Sequence, residues 1–326
     1  MKKLVYIFIA LLIFGCRHKE EEFEGPDLND LFGPFYIISE LNLSDNSLDF
    51  KNGDQLVFNA ELSKRTPWVI TITGLKSGAI ATFEGKERII TSTNATWFGG
   101  ADNFPAFNIE EALITLVFPN EEGSEIITDT VSIISEKIDA GTLITGFENG
   151  IGTNWGNTFS NAPSTIKCDG LGAKGNCYYA WEGTVGWDYG IGSVIIRPDA
   201  GTFNLQANAS NLFFNMAVNF INNKDCSMIL SFMEDENGDG IFDAASEDAY
   251  SYEYSYNKDG WDLISLNYGD LQFDAEGNSV EVNGNGLPEP SKLHGIDVIY
   301  IANPAEGSTK AFVDQLIFTV NEPYKP

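Results

Sequence analysis

The chain has 326 residues and carries 47 acidic against 19 basic side chains, a formal charge of −28 at pH 7. A body this acidic repels polyanions, which excludes nucleic acid and disfavours sulfated or uronate-rich polysaccharides unless a local basic patch intervenes. With 43% hydrophobic and 13% aromatic residues it has material for a large packed interior, and its length exceeds one ordinary domain.

Residues 1–15 read as a targeting signal: Lys2 and Lys3 give a basic start, 4–14 an apolar core, and Ile13-Phe14-Gly15-Cys16 a lipobox pattern. This resembles the signal of bacterial lipoproteins, which implies that Cys16 becomes the first mature residue, with diacylglycerol on its thiol and an acyl chain on its amine. An ordinary secreted signal peptide is the alternative, disfavoured by a cysteine directly after the small residue of the cleavage site. Removal of Lys2 and Lys3 takes the formal charge to about −30. No second apolar run is long enough to span a bilayer. Residues 16–31 are acid-rich and too poor in apolar side chains to pack, so a flexible tether is expected. An acidic run just behind the lipidated cysteine resembles the surface-export signal of Bacteroidota lipoproteins and implies a lipid-anchored position on the outer membrane, facing outward.

From residue 32 onward the pattern is all-β. Short apolar runs at 56–58, 68–72, 113–118, 131–134, 194–196, 212–220 and 298–301 are separated by Gly, Asn, Asp and Pro clusters at the spacing of sandwiches. A break near EKIDAGT (136–142) predicts two domains. The first, 32–137, has the size of an immunoglobulin-like sandwich, and its stretch WFGGADNFPAFNIEEALITLVF with the following DTVSII resembles the later half of a PKD-type Ig-like domain. That resemblance implies a spacer, with Trp68 and Trp97 in the core and a ligand platform as the competing role.

The second domain, 141–321, is longer and richer in aromatic and amide residues, a size that fits a β-jelly roll. Its segments ITGFENGIGTNWG, GWDLISLNYGDLQF, KLHGIDVIYI and KAFVDQLIF resemble, in order, strands of jelly-roll carbohydrate-binding modules. The resemblance implies a structural Ca2+ between the first and last strands, held here by Glu148 and Asp314.

Within this domain Cys168 and Cys177 bracket the Gly-rich DGLGAKGN and can close it as a disulfide, leaving Cys226 spare and buried at a strand start. YYAWEGTVGWDY (178–189) concentrates aromatics among glycines, so Trp181, Trp187 and Tyr189, with Trp155 next, are the expected stacking platform. In 212–220, Leu212, Phe214, Met216, Val218 and Phe220 form one apolar face; Phe213, Asn215, Ala217 and Asn219 form the other. Amides beside an exposed ring suit the hydroxyls of a neutral glycan, and an ordinary wet sandwich face reads the same way.

Asp235, Asn237, Asp239, the Ile241 carbonyl and Asp243 stand at the odd positions of an EF-hand-like loop around Gly240, here between two strands. Its twelfth position is Ser246, so Glu247 or Asp248 would have to close a Ca2+ site; a solvated hairpin turn is the alternative. Tyr250, Tyr252, Tyr254 and Tyr256 share one strand face and are expected mostly in the core or at a sheet edge. Catalytic motifs are absent from the sequence: it holds no G-x-S-x-G, Walker loop or HExxH, and His18 and His294 are isolated.

Lipobox, acidic tether, Ig-like spacer and C-terminal jelly roll together resemble the surface glycan-binding lipoproteins of Bacteroidota polysaccharide-utilisation systems. This implies a non-catalytic protein that captures polysaccharide for an outer-membrane transporter complex beside companion glycan-binding lipoproteins. The acidic, amide-rich and aromatic composition favours a neutral glucan, with a β-1,3-glucan of laminarin type as the expected ligand. A jelly-roll enzyme acting on glycans and a structural or adhesion lipoprotein are the alternatives.

Overall fold

The computed structural model describes residues 33–185, 190–220, 226–255, 260–271, 283–302 and 307–326. The signal, Cys16 and the tether lie outside the described residues, as do Trp187, Tyr189 and Tyr256. Among the described residues the structure is all-β, with helical geometry confined to single 3-10 turns such as Phe50–Asn52 and Pro290–Lys292.

Period-two patterning dictates a first pair of packed sheets. One sheet centres on Leu56–Leu62, flanked by Ile37–Leu43 and by Ile89–Ile90 and Thr96–Trp97. The other runs Ser47–Asp49, Ile127–Ser135, Glu111–Val117, Trp68–Gly74, Ile80–Gly85. Leu56, Phe58, Trp68, Ile70, Ile72, Ile114 and Leu116 alternate inward and are buried. Trp68 and Trp97 lie in this core, their indole N–H groups donating to the carbonyls of Glu87 (3.2 Å) and Gly100 (2.7 Å).

The second pair of sheets is larger. Ser164–Cys168, Cys177–Val185, Gly307–Val320, Leu212–Phe220 and Asp262–Asn267 pair in that order, with Thr142–Thr145 also on Gly307–Val320. Opposite them lie Gly190–Ile196, Leu293–Ala302, Cys226–Glu234 and Ala249–Ser255. The apolar face expected for 212–220 is the core: Leu212, Phe214, Met216, Val218 and Phe220 are all buried in one cluster. A disulfide joins Cys168 and Cys177, which face each other in register, and Cys226 is buried with its thiol 3.2 Å from the Tyr300 hydroxyl. In the tyrosine strand, Tyr250 is buried and Tyr252 reaches solvent.

The two sandwiches meet through hydrogen-bonded backbone. Ala106 N–H donates to the Ala173 carbonyl (2.7 Å), and the Asn108 side chain both accepts from Gly175 N–H (3.0 Å) and donates to its carbonyl. Asp139, in the expected linker, accepts from Lys174, from Gln315 Nε2 and from the Tyr324 hydroxyl. The C-terminal segment returns across this junction: Tyr324 stacks on Phe104 with centroids 5.9 Å apart, and its N–H donates to Asn215 Oδ1 (3.0 Å). Tyr324→Ala removes a buried ring and a hydrogen bond at once, so its unfolding free energy in urea should fall by about 3 kcal/mol; unchanged stability would show that the tail is not part of the fold.

Candidate functional site: an aromatic sheet face beside a carboxylate cradle

Alternation along Cys177–Val185 sends successive aromatics to opposite faces. Tyr179 and Trp181 point into the core, while Tyr178, Ala180 and Glu182 point outward. Trp181 is therefore not a platform: it is 0% exposed, its ring packs edge-on to Tyr179, and Gly192 leaves it room, since a Cβ there would sit 2.7 Å from the indole.

On the outer face Tyr178 meets Phe312 at 4.8 Å between centroids and Trp261 at 5.9 Å. Tyr178 and Phe312 are buried and support Trp261, which is half-buried and donates its indole N–H to the Leu171 carbonyl (3.0 Å). Asp169 accepts from the Tyr178 hydroxyl (3.0 Å); burial first, and then this acceptor, hold the phenol above its usual range, so it stays a neutral donor. Alongside, Glu182 accepts from Lys167 and from Lys310 (2.6 Å), and these bonds lower its pKa and keep it ionised. Lys167 also stands 5.8 Å from the Phe312 ring centre.

The outer face of Leu212–Phe220 is divided. Asn215 is wholly buried: its amide donates to the Phe213 and Ile317 carbonyls and to Thr319, and its oxygen accepts from Ser265 and from Tyr324 N–H. Phe104, Ala106 and Tyr324 roof Ala217 in the same apolar cluster. Asn215 is thus structural, because the neighbouring sandwich and the tail cover the face expected to be wet. Phe213 is half-buried beside Asn267 and Thr319. Asn219, near Phe312, retains a side-chain oxygen with no partner among the described residues. Trp155 lies elsewhere, in a cleft of about 1010 Å³ with Leu143, Phe147, Ile151, Arg197 and Phe203; it is edge-on to Phe147 and donates to the Arg197 carbonyl (3.1 Å).

Glu148 and Asp314 grip one loop, 172–177. Glu148 Oε1 accepts from the N–H groups of Asn176 (2.6 Å) and Cys177 (2.8 Å), while Asp314 accepts from those of Lys174 (3.1 Å) and Gln315 (2.7 Å). Asp314 is 0% exposed; burial raises its pKa well above the usual range, and the nearby Glu148 charge pushes the same way. A Cβ on Gly175 would stand 2.4 Å from Glu148 Oε1 and one on Gly172 3.1 Å from Asp314 Oδ2. Two converging carboxylates, one buried, in a cradle that a methyl group would fill suit a hard cation with oxygen ligands.

The EF-hand-like loop behaves differently. Asp235 accepts from the N–H groups of Gly238, Asp239 and Gly240, Asn237 from Asp239, Asp239 from Ile241, and Asp243 from Ala245 and the Ser246 hydroxyl. These side chains brace their own turn, and among the described residues no three of the loop's carboxylates lie within 4.8 Å of one another. The side chain that closes the turn is Glu247, which accepts from Asn237 and Asp243 N–H. Asp248 points away, to the N–H groups of Gly284 (2.8 Å) and Gly286 (2.6 Å), because neighbours along an extended chain face opposite ways.

No family model matches the chain, and no curated protein matches it. Among solved structures it is similar to a carbohydrate-binding module of the β-sandwich superfamily (14% identity, 87% of this chain and 98% of that one, TM-score 0.39). A family 11 carbohydrate-binding module of a Clostridium thermocellum cellulosomal cellulase is similar over 56% of this chain and 96% of that one (14% identity, TM-score 0.38). SGBP-B from a xyloglucan utilization locus in Bacteroides uniformis is similar over 88% of this chain and 73% of that one (9% identity, TM-score 0.35). At TM-scores below 0.5 no ligand follows from these likenesses.

Gly175 and Gly123 both have positive φ (74° and 76°), but only Gly175 faces a side chain within 4 Å. Alanine costs about 1–2 kcal/mol at either from backbone conformation alone. Thermal unfolding of Gly175→Ala should drop clearly further than that of Gly123→Ala; equal drops would mean that the cradle is not closely packed.

Proposed function

We propose that the chain is a non-catalytic glycan-binding protein whose second sandwich takes a neutral polysaccharide on the outer face of its six-stranded sheet. The observation that carries this reading is Trp261, held half-buried on Tyr178 and Phe312 and flanked by Glu182 and its two lysines. An aromatic surface stacks on the apolar C–H face of a sugar ring, and fixed donors and acceptors at its rim pair with hydroxyls. The chain's overall charge of −28 disfavours polyanionic glycans and favours a neutral glucan, with laminarin-type β-1,3-glucan as the first candidate. Glu148 and Asp314 would hold a structural Ca2+ that fixes the 172–177 loop.

The lipobox and acidic tether support a lipid-anchored position on the outer membrane facing outward, where binding serves an uptake complex beside companion glycan-binding lipoproteins. The first sandwich then acts as a spacer. A second reading places the sugar on Trp155, because that ring lines the large cleft.

Native affinity electrophoresis in gels containing laminarin, xylan, mannan, pectin or alginate separates these readings. The protein should be retarded by a neutral glycan without releasing reducing ends, and Trp261→Ala should weaken the retardation at least about tenfold, the loss of a stacking anchor. Trp155→Ala should leave it unchanged. Loss in Trp155→Ala alone would move the site to the cleft, and retardation by none of the glycans would overturn the binding reading.

A further inference from the structure

Acidic side chains converge on the far side of the strand end that carries the EF-hand-like loop. The chain leaves Cys226–Glu234 through Asp235 and Glu236, and alternation splits these three residues. Asp235 turns to its own loop, whereas Glu234 and Glu236 both address the segment before Leu293–Ala302. Glu234 Oε1 accepts from Glu289 N–H (2.8 Å) and from the Tyr268 hydroxyl (2.8 Å), and Glu236 accepts from Asn285 N–H (3.1 Å). One carboxylate oxygen from each of Glu234, Glu236 and Glu289 lies within 4.8 Å of the other two. Calcium–oxygen bonds of about 2.3–2.6 Å place ligand atoms on one ion no more than about 5 Å apart, so one ion can reach all three.

Acids crowd together on many surfaces without an ion, but Glu234 is different. It is 0% exposed, and its second oxygen, Oε2, is buried with no hydrogen-bond partner among the described residues. A buried carboxylate oxygen in that condition takes a proton, a water or a cation, and the two further carboxylates converging on it favour the cation. Asp248 adds a fourth carboxylate beside Glu236, and the ammonium that meets the group among the described residues is Lys292 Nζ, 2.8 Å from Glu289 Oε2. Charge is therefore left uncompensated, and the protein donors are all oxygen, which selects a hard ion over zinc or copper.

We propose that Glu234, Glu236 and Glu289 bind a calcium-sized divalent cation that ties the end of Cys226–Glu234 to the chain entering Leu293–Ala302. This site shares no residue with the Glu148–Asp314 cradle, and of the 235–247 turn it uses Glu236, whose carboxylate faces Asn285 and not the turn.

Terbium provides the probe, because its luminescence is sensitised by a nearby phenol and the Tyr268 hydroxyl bonds to Glu234. Chelator-treated protein is titrated with Tb3+ and, separately, with Ca2+ in a calorimeter. Wild type should bind at least one ion and show tyrosine-sensitised emission; Glu289→Gln should bind one ion fewer and lose most of that emission. Glu148→Gln and Asp239→Asn should keep it. An unchanged ion count in Glu289→Gln overturns the proposal, as does emission lost in Asp239→Asn but kept in Glu289→Gln, which would put the ion in the turn. Circular dichroism checks folding, and if Glu289→Gln fails to fold, the half-exposed Glu236→Gln is read by the same two outcomes.

Discussion

The buried carboxylate of Asp314 is the constraint on which the second sandwich depends. It sits inside Gly307–Val320, which pairs with Cys177–Val185, Thr142–Thr145 and Leu212–Phe220, so its position is fixed by three partners. An anion there is tolerable only with donors around it, and the 172–177 loop supplies them. That loop is in turn the surface on which the first sandwich lands, through Ala106 and Asn108. One buried acid thereby links the strand ladder to the loop that the first sandwich touches.

The same junction explains where a ligand can go. Phe104, Ala106 and Tyr324 cover the outer sheet around Asn215 and Ala217 and pack against Trp261, whose ring stays half-buried over the buried Phe312. The first sandwich therefore limits the open length of the sheet. A polymer lying there would meet Trp261 beside a charged rim of Lys167, Glu182 and Lys310.

Period two made much of this legible. The all-β class and the inward face of Leu212–Phe220 follow from alternation and composition alone, and the core positions of Trp68 and Trp97 are those the Ig-like resemblance implies. Other features depend on contacts distant in sequence. Asn215 reads as an exposed amide until the tail and the Phe104 loop close over it, more than a hundred residues away in each direction. Trp181 and Tyr178 are separable by alternation: three residues apart on one strand, they face opposite ways, and Tyr178 shares the outward face with Glu182. Likewise the regular spacing of Asp235, Asp239 and Asp243 drew notice to the turn, while Glu234 and Glu236, one step to either side, acquire a third partner, Glu289, only through folding.

A crystal structure of the protein with a neutral gluco-oligosaccharide tests the central claim most directly. The account predicts a sugar ring stacked on Trp261, with hydroxyls paired to Glu182 or its lysines. A sugar bound against Trp155 in the cleft, or on the first sandwich alone, would contradict it.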